Sequence, residues 1–121
     1  MDIATIRCEL ERLDRVKRSA YKLTQSITEE YIRKLDGKRG IFISDHAMVR
    51  YMERVKNYTF DSSMTDTEKL STLRIPPQRI RKEMLSLEED RTILRGQKTL
   101  YNKGKYSYLI KELTIVTVLL N

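Results

Sequence analysis

The sequence predicts an α+β protein with a long N-terminal helix, two further helices and a C-terminal antiparallel sheet of three or four strands. Apolar residues recur at steps of three and four through residues 2–36, which is the period of an amphipathic helix. No glycine or proline occurs before Gly37, which occupies the place of a helix C-cap. From residue 99 onward, short β-branched and aromatic runs alternate with turn residues, which indicates strands.

The N-terminal segment is expected to form one helix about 50 Å long. The rest of the chain would form a domain with a radius of gyration of about 12 Å, so about half of the helix has nothing of its own to pack on. We therefore expect a homo-oligomer, most simply a homodimer, held by a coiled-coil-like seam. The alternative is a helix that breaks near Ser19 and folds back as a hairpin. The predicted oligomerisation residues are Ile6, Leu10, Leu13, Leu23 and Ile27.

The predicted division is therefore an oligomerisation helix at residues 1–37 and an α+β domain at residues 38–121. After a basic turn, residues 41–43 form a very short strand or an extended lead-in. Ser44 or Asp45 then caps a helix that runs to about Asn57. Residues 58–74 are polar and are predicted to be a mobile loop.

The second helix of this domain is predicted to begin at Pro76-Pro77 and to run to about Glu89, because proline is favoured in the first turn. Residues 99–101 and 106–110 are predicted to form a hairpin around Gly104. Residues 113–120 are apolar or β-branched on both faces, which is typical of a strand in the interior of a sheet. Residues 92–94 are a candidate fourth strand.

Composition bounds the class of protein. The 121 residues suffice for one core, and no apolar run approaches the ~20 residues of a membrane span. The single cysteine, Cys8, excludes an intramolecular disulfide, so a cytoplasmic location is expected. A net charge of +7 favours a polyanionic partner such as nucleic acid, and solubility is the alternative reading. The predicted nucleic-acid-binding residues are Lys38, Arg39, Arg79, Arg81 and Lys82.

The helix that begins near Ser44 carries the most informative pattern. His46, the only histidine, is followed by Arg50 and Arg54 at intervals of four, so the three side chains share one helix edge. Two cations beside an imidazole favour its neutral form, which a general base requires. The arginines are suited to hold a phosphate. The alternative is an ordinary solvated basic edge.

The run Ile43-Ser44-Asp45-His46-Ala47, followed by Arg50 and Glu53-Arg54, resembles the first conserved block of a family of small bacterial and phage proteins. That family is similar to the RelE/barnase-like superfamily of ribonuclease toxins, which need no metal ion. The resemblance covers about residues 41–120 and implies an RNA partner, no cofactor and endoribonuclease activity. The catalytic residues that it implies are His46, Arg50, Arg54, Tyr106 or Tyr108, and Thr117.

Other site types fit the sequence poorly. One histidine and one distant cysteine make no zinc ligand set, so no metal site is predicted. The competing function is a non-enzymatic, phage-type homodimeric binder that inhibits or recruits a host protein or a nucleic acid. A third is a purely structural helix-pair adaptor. His46→Ala separates the first two, because an enzyme should lose activity with its affinity kept, whereas a binder should be almost unaffected.

Overall fold

The computed structural model describes residues 2–15 and 21–121, with side chains described for residues 2–12 and 25–121. The α+β class is confirmed, with six helices and a four-stranded sheet among the described residues. The helices are α1 (Ile3–Arg15), α2 (Tyr21–Leu35), α3 (Asp45–Arg54), α4 (Asp66–Thr72), α5 (Pro77–Met84) and α6 (Leu87–Gly96). The strands are β1 (Phe42–Ile43), β2 (Leu100–Asn102), β3 (Tyr106–Lys111) and β4 (Thr114–Leu120).

The N-terminal segment forms two helices that pack against each other, so the prediction of one long helix was wrong. Arg7 of α1 donates a hydrogen bond to the hydroxyl of Tyr31 in α2 at 3.2 Å. In one continuous helix these residues, 24 positions apart, would lie about 36 Å from each other. Ile6 and Leu10 of the apolar seam of α1 are therefore covered by the same chain. The hairpin alternative describes this arrangement, and its break near Ser19 lies outside the described residues.

The predicted oligomerisation residues divide into three groups. Ile6 and Leu10 are buried in the core of a single chain. Ile27 is partly buried and packs against that core. Leu13 and Leu23 lie outside the described side chains. Burial of Ile6 and Leu10 removes the reason for which an oligomer was expected, and the oligomer itself stays a prediction.

The sheet has the order β1-β4-β3-β2. Strand β4 lies in its interior, as predicted, and pairs antiparallel with β3. Its other neighbour is β1, which runs parallel to it, so the sheet is mixed and the prediction of an antiparallel sheet was wrong. The predicted hairpin is present, with Tyr101 opposite Tyr108. Residues 92–94 are helical within α6 and contribute no strand.

A bulge in β4 sets which of its residues face the core. Ile110 pairs with Ile115 and Leu109 pairs with Thr117, so Val116 is the extra residue. This residue shifts the alternation of side chains by one position. Ile115 and Val118 are therefore both fully buried although they are three residues apart.

Two of the predicted segments are more structured than expected. The second helix of the domain ends at Met84, and the chain begins α6 after a new cap at Ser86, whose hydroxyl accepts from the Glu89 amide. Residues 66–72, predicted to be part of a mobile loop, form α4. Its capping box, Thr65 with Glu68, satisfies two backbone donors at the start of the helix.

One hydrophobic core joins the two predicted units. It includes Leu10 and Leu35 from the N-terminal helices together with Met48, Ile93 and Val118. The turn before β1 is held by the buried carboxylate of Asp90, which accepts from the amides of Gly40 at 3.0 Å and Ile41 at 2.8 Å.

Gly40 has no room for a side chain, because an added Cβ would lie 2.8 Å from Tyr31 and Leu35. This contact closes the hairpin of α1 and α2 onto the domain. Within the described ranges, no helix combines the length and the apolar character that crossing a membrane requires.

Candidate catalytic site

Helix α3 places its polar residues at the border of the core. The Ser44 hydroxyl caps the helix by accepting from the Ala47 amide at 3.0 Å. An apolar stripe on the inner side of the helix is buried, and it includes Ala47, Met48, Tyr51 and Met52. His46 and Arg50 lie beside this stripe, with 44% and 37% of their side chains exposed. His46 and Arg50 therefore share one edge of the helix, as predicted, and the structure shows that this edge is partly exposed.

Both ring nitrogens of His46 have partners. Nδ1 lies 3.0 Å from a carboxylate oxygen of Asp66, and Nε2 accepts a long bond of 3.4 Å from Nε of Arg50. An ionised carboxylate only accepts and a guanidinium only donates. The pattern therefore fits a neutral imidazole whose proton lies on Nδ1 and whose lone pair lies on Nε2. We call Asp66, His46 and Arg50 the histidine cluster.

Arg50 also has a second partner. Its Nη1 donates to a carboxylate oxygen of Glu53 at 3.1 Å, one turn further along α3. The bond to Glu53 has ordinary length, whereas the bond to His46 is at the long limit for a hydrogen bond and is weak. An anion that approached the cluster could therefore take the Nε donor of Arg50 and leave Nε2 of His46 free.

Asp66 was not among the predicted site residues, because it lies in the segment that was taken for a mobile loop. It is the first residue of α4, and it follows the capping residue Thr65. Buried Leu70 anchors α4 to the core, and Thr67 donates to Asp45 at 3.4 Å. The signal that could have found this helix is the capping box Thr65-Asp66-Thr67-Glu68. No pattern in the sequence indicates that α4 packs beside His46.

Arg54 is directed to the sheet and not to the histidine cluster. Its Nη1 donates to the carbonyl of Val118 in β4. The Ser44 hydroxyl likewise donates to the carbonyl of Val116 at 3.3 Å. Strand β1 ends at Ile43, so it cannot pair with this part of β4. Arg54 and Ser44 instead donate to carbonyl groups of β4 that β1 leaves unpaired. This hydrogen bond gives Arg54 a structural role.

The two predicted tyrosines belong to an aromatic cluster. The ring of Tyr106 lies 5.7 Å from that of Tyr108 and 6.1 Å from that of Tyr51 in α3. Tyr108 is completely buried and donates its hydroxyl hydrogen to the carbonyl of Met84. Burial is the main cause that raises the pKa of Tyr108 well above its usual value, and the nearby Tyr106 raises this pKa further. Tyr108 therefore cannot contact a substrate, whereas Tyr106 is half-buried.

Thr117 does not share a sheet face with these tyrosines, so the structure does not bring these predicted catalytic residues together. Directly paired residues of antiparallel strands point to the same side of a sheet. Tyr108 pairs with Val118, whereas Thr117 pairs with Leu109, whose side chain is exposed. Thr117 therefore lies on the sheet face opposite to the tyrosines and to the core. The bulge at Val116 could not be read from the sequence.

The predicted basic residues separate into two sets. Arg39 and Arg81 line one surface depression beside β1, together with Ile41, Phe42 and Ile43. The side chains of Lys38, Arg79 and Lys82 lie outside the lining of that depression. Lys38 and Lys82 are exposed, and so is Arg79 at the start of α5. We call the depression between Arg39 and Arg81 the arginine cleft.

Comparison with known proteins identifies no relative, since no protein-family model, curated protein or solved structure matches the chain. In the part of the chain that the structure describes, no three His, Cys, Asp or Glu side chains gather as metal ligands. The resemblance to the ribonuclease toxins thus stays a prediction, and the functional argument depends on the histidine cluster and the arginine cleft.

Proposed function

We propose that this protein binds RNA and cleaves it as a metal-independent endoribonuclease at the histidine cluster. The observation that carries the proposal is the double contact of His46, whose ring lies between the carboxylate of Asp66 and the guanidinium of Arg50. A base that is oriented by a carboxylate and adjacent to a cation is the arrangement that general-base attack on a phosphodiester needs. The net charge of +7 favours the substrate electrostatically.

The reaction would begin when a phosphate of the RNA replaces His46 as the acceptor of the Arg50 Nε–H. Nε2 of His46 then takes the proton of the neighbouring 2′-hydroxyl. The 2′-oxygen forms a bond to phosphorus, and the bond from phosphorus to the 5′-oxygen breaks, which leaves a 2′,3′-cyclic phosphate. The departing 5′-oxygen takes a proton from water, which can enter because His46 and Asp66 are partly exposed. The hydroxide that remains takes the proton of the imidazolium, which returns His46 to its neutral form.

Asp66 and Arg50 have different tasks in this scheme. Asp66 accepts from Nδ1 and stabilises the imidazolium that forms when His46 takes the proton. Arg50 balances the charge that builds up on the phosphate oxygens. Of the two predicted tyrosines, Tyr106 is the one with an accessible side chain, because Tyr108 is completely buried. Thr117, on the opposite sheet face, takes no part in the scheme.

The proposal is tested by incubating a labelled RNA with the wild-type protein and with His46→Ala in the presence of a chelator. We expect cleavage by the wild type, and a decrease in kcat of about 10²- to 10⁴-fold in the variant with little change in RNA affinity. An RNA with 2′-O-methyl groups should bind but resist cleavage, because the attacking hydroxyl is blocked. Gln25→Ala, an exposed change on α2, is the control for handling and folding.

Two results would contradict the proposal in different ways. RNA that is bound but never cut would favour the non-enzymatic binder, particularly if His46→Ala had no effect on binding. Absence of binding to both RNA and DNA at low salt would exclude a nucleic-acid partner and would leave a host protein or a second copy as the partner to test.

A further inference from the structure

Phe42 is an aromatic strand residue of which 55% is exposed. Phe42 belongs to β1, the edge strand of the sheet, and it pairs with Thr114 of β4. Its neighbours in sequence, Ile41 and Ile43, are buried and hold the strand on the core. The exposed ring is thus attached to a well-anchored backbone.

One face of this ring is covered by a cation. The guanidinium carbon of Arg7 lies 3.7 Å from the centroid of the Phe42 ring. Arg7 is itself held by the Tyr31 hydroxyl at 3.2 Å, the Gly40 carbonyl at 3.1 Å and the Glu11 carboxylate at 2.9 Å. Because these contacts restrict the side chain of Arg7, its guanidinium group holds the Phe42 ring in one orientation and covers one of its two faces.

Arg39 and Arg81, which line the cleft with Phe42, differ from six other arginines whose side chains the structure describes. Arg7, Arg12, Arg50, Arg54, Arg91 and Arg95 all donate side-chain hydrogen bonds to acceptors of the protein. Among the described residues, neither Arg39 nor Arg81 has a side-chain acceptor or a carboxylate partner. The buried Nε–H of Arg39 is left without any acceptor. An unpaired buried donor of this kind is costly, because it has lost its hydrogen bonds to water without gaining an acceptor in the protein.

We propose that the arginine cleft is a binding site for single-stranded nucleic acid. A base stacks on the free face of Phe42, and the flanking phosphates are bound by the guanidinium groups of Arg39 and Arg81. This inference rests on the proposed function and adds the position at which the strand is held. An exposed aromatic ring that lines one depression with two unpaired arginines is the combination that single-stranded binding uses. An acidic peptide would use the arginines but would gain little from the flat ring.

The cleft also lies close to the histidine cluster along the chain. Strand β1 ends at Ile43, and α3 begins at Asp45, so a single residue separates them. His46 stands in the first turn of that helix. A nucleic-acid strand that is bound at the arginine cleft would therefore contact the segment of the protein that leads directly into the histidine cluster.

The stacking part of the proposal is tested with a fluorescein-labelled oligodeoxythymidine of about ten nucleotides. This probe lacks the 2′-hydroxyl, so binding is measured without cleavage. Fluorescence anisotropy should show that Phe42→Ala raises the Kd by about 5- to 100-fold, because one stacked base is lost. Phe42→Tyr keeps the ring and should bind as the wild type does. Leu119→Ala, at a residue that is 39% exposed on the sheet, should also leave the Kd unchanged.

The charged part is tested through the dependence of Kd on salt. Arg39→Gln and Arg81→Gln should each reduce the slope of log K against log salt by about 0.7, because one phosphate contact to a single strand is lost. Arg33→Gln is the matched control, since that side chain is 73% exposed and lies on α2. Thermal denaturation of each variant establishes that the fold is kept.

The outcomes separate this inference from the proposed function. If Phe42→Ala and both glutamine variants bind like the wild type while His46→Ala abolishes cleavage, the cleft is excluded and the ribonuclease proposal stands. If poly-glutamate competes as strongly as the oligonucleotide and Phe42→Ala binds both equally, the cleft is a peptide site and the inference fails. If the wild type binds no nucleic acid at all, both proposals fail.

Discussion

Nδ1 of His46 lies 3.0 Å from a carboxylate oxygen of Asp66, which is 20 residues further along the chain and on a different helix. The contact fixes the orientation of the imidazole ring. It also keeps the Nε2 lone pair directed away from Asp66, toward the side of the ring where Arg50 lies. Asp66 is therefore a positioning residue in the proposed reaction, since its effect on RNA is exerted through His46.

Asp66→Asn should lower kcat for RNA cleavage by about tenfold or more with little change in KM. The amide can donate to Nδ1 and thereby favour the wrong tautomer, and it cannot balance the charge of an imidazolium. The measurement is steady-state cleavage of a labelled RNA. Asp61→Asn is the matched control, because the Asp61 carboxylate bonds locally with Ser63. Equal rates for wild type and Asp66→Asn would remove Asp66 from the mechanism.

Arg54→Ala should reduce the free energy of unfolding by about 1.5–3 kcal/mol. The variant loses the charge-assisted hydrogen bond to the Val118 carbonyl, and that carbonyl is left without its partner at the edge of β4. Urea denaturation measures the change. Arg33→Ala, at an exposed position on α2, should leave the stability almost unchanged. A variant that unfolded like the wild type but had lost cleavage would instead assign Arg54 to the substrate.

Tyr108→Phe should lower the free energy of unfolding by about 1 kcal/mol near neutral pH, because the Met84 carbonyl loses its donor. The difference should shrink at alkaline pH. Burial raises the pKa of Tyr108 above the ordinary value of 10.0, so the unfolded chain releases this proton before the folded chain does. The stability from the neutral hydroxyl is therefore complete below pH 10 and decreases as the pH rises further. Urea denaturation of both proteins between neutral pH and pH 11 measures this change, and a difference that did not depend on pH would contradict the assignment.

Ile6→Asp should destabilise the single chain and not merely dissociate an assembly. Ile6 is completely buried against the core, so an aspartate there places an unpaired charge in an apolar site. We expect a loss of about 3 kcal/mol or more in the free energy of unfolding. Light scattering combined with thermal denaturation distinguishes the cases. A stable monomer formed from a wild-type dimer would restore the predicted oligomerisation role of Ile6.

Features that depend on neighbouring residues could be predicted from the sequence. The start of α3 at Ser44 or Asp45 follows from the side chains that can satisfy the first amides, and the structure shows that Ser44 is the cap. The burial of one side of α3 follows from helix periodicity. The hairpin of β2 and β3 follows from a turn at Gly104, whose positive φ of 102° suits glycine. For the same reason, His46 and Arg50 were correctly placed on one edge.

Features that depend on distant residues were decided only by the tertiary structure. An apolar helix seam can be covered equally well by a second copy or by the same chain. The periodicity of the sequence therefore could not show that Ile6 packs in the core of its own chain. One extra residue, Val116, reverses the sheet face on which Thr117 lies, and no local preference marks it. Asp66 contacts His46 because α4 packs on α3. The sequence can indicate each of these helices, but it does not indicate that the two are in contact. The sequence by itself determined where α3 begins and on which edge of the helix His46 lies. Tertiary packing decided that Asp66 contacts His46, because these two residues belong to different helices.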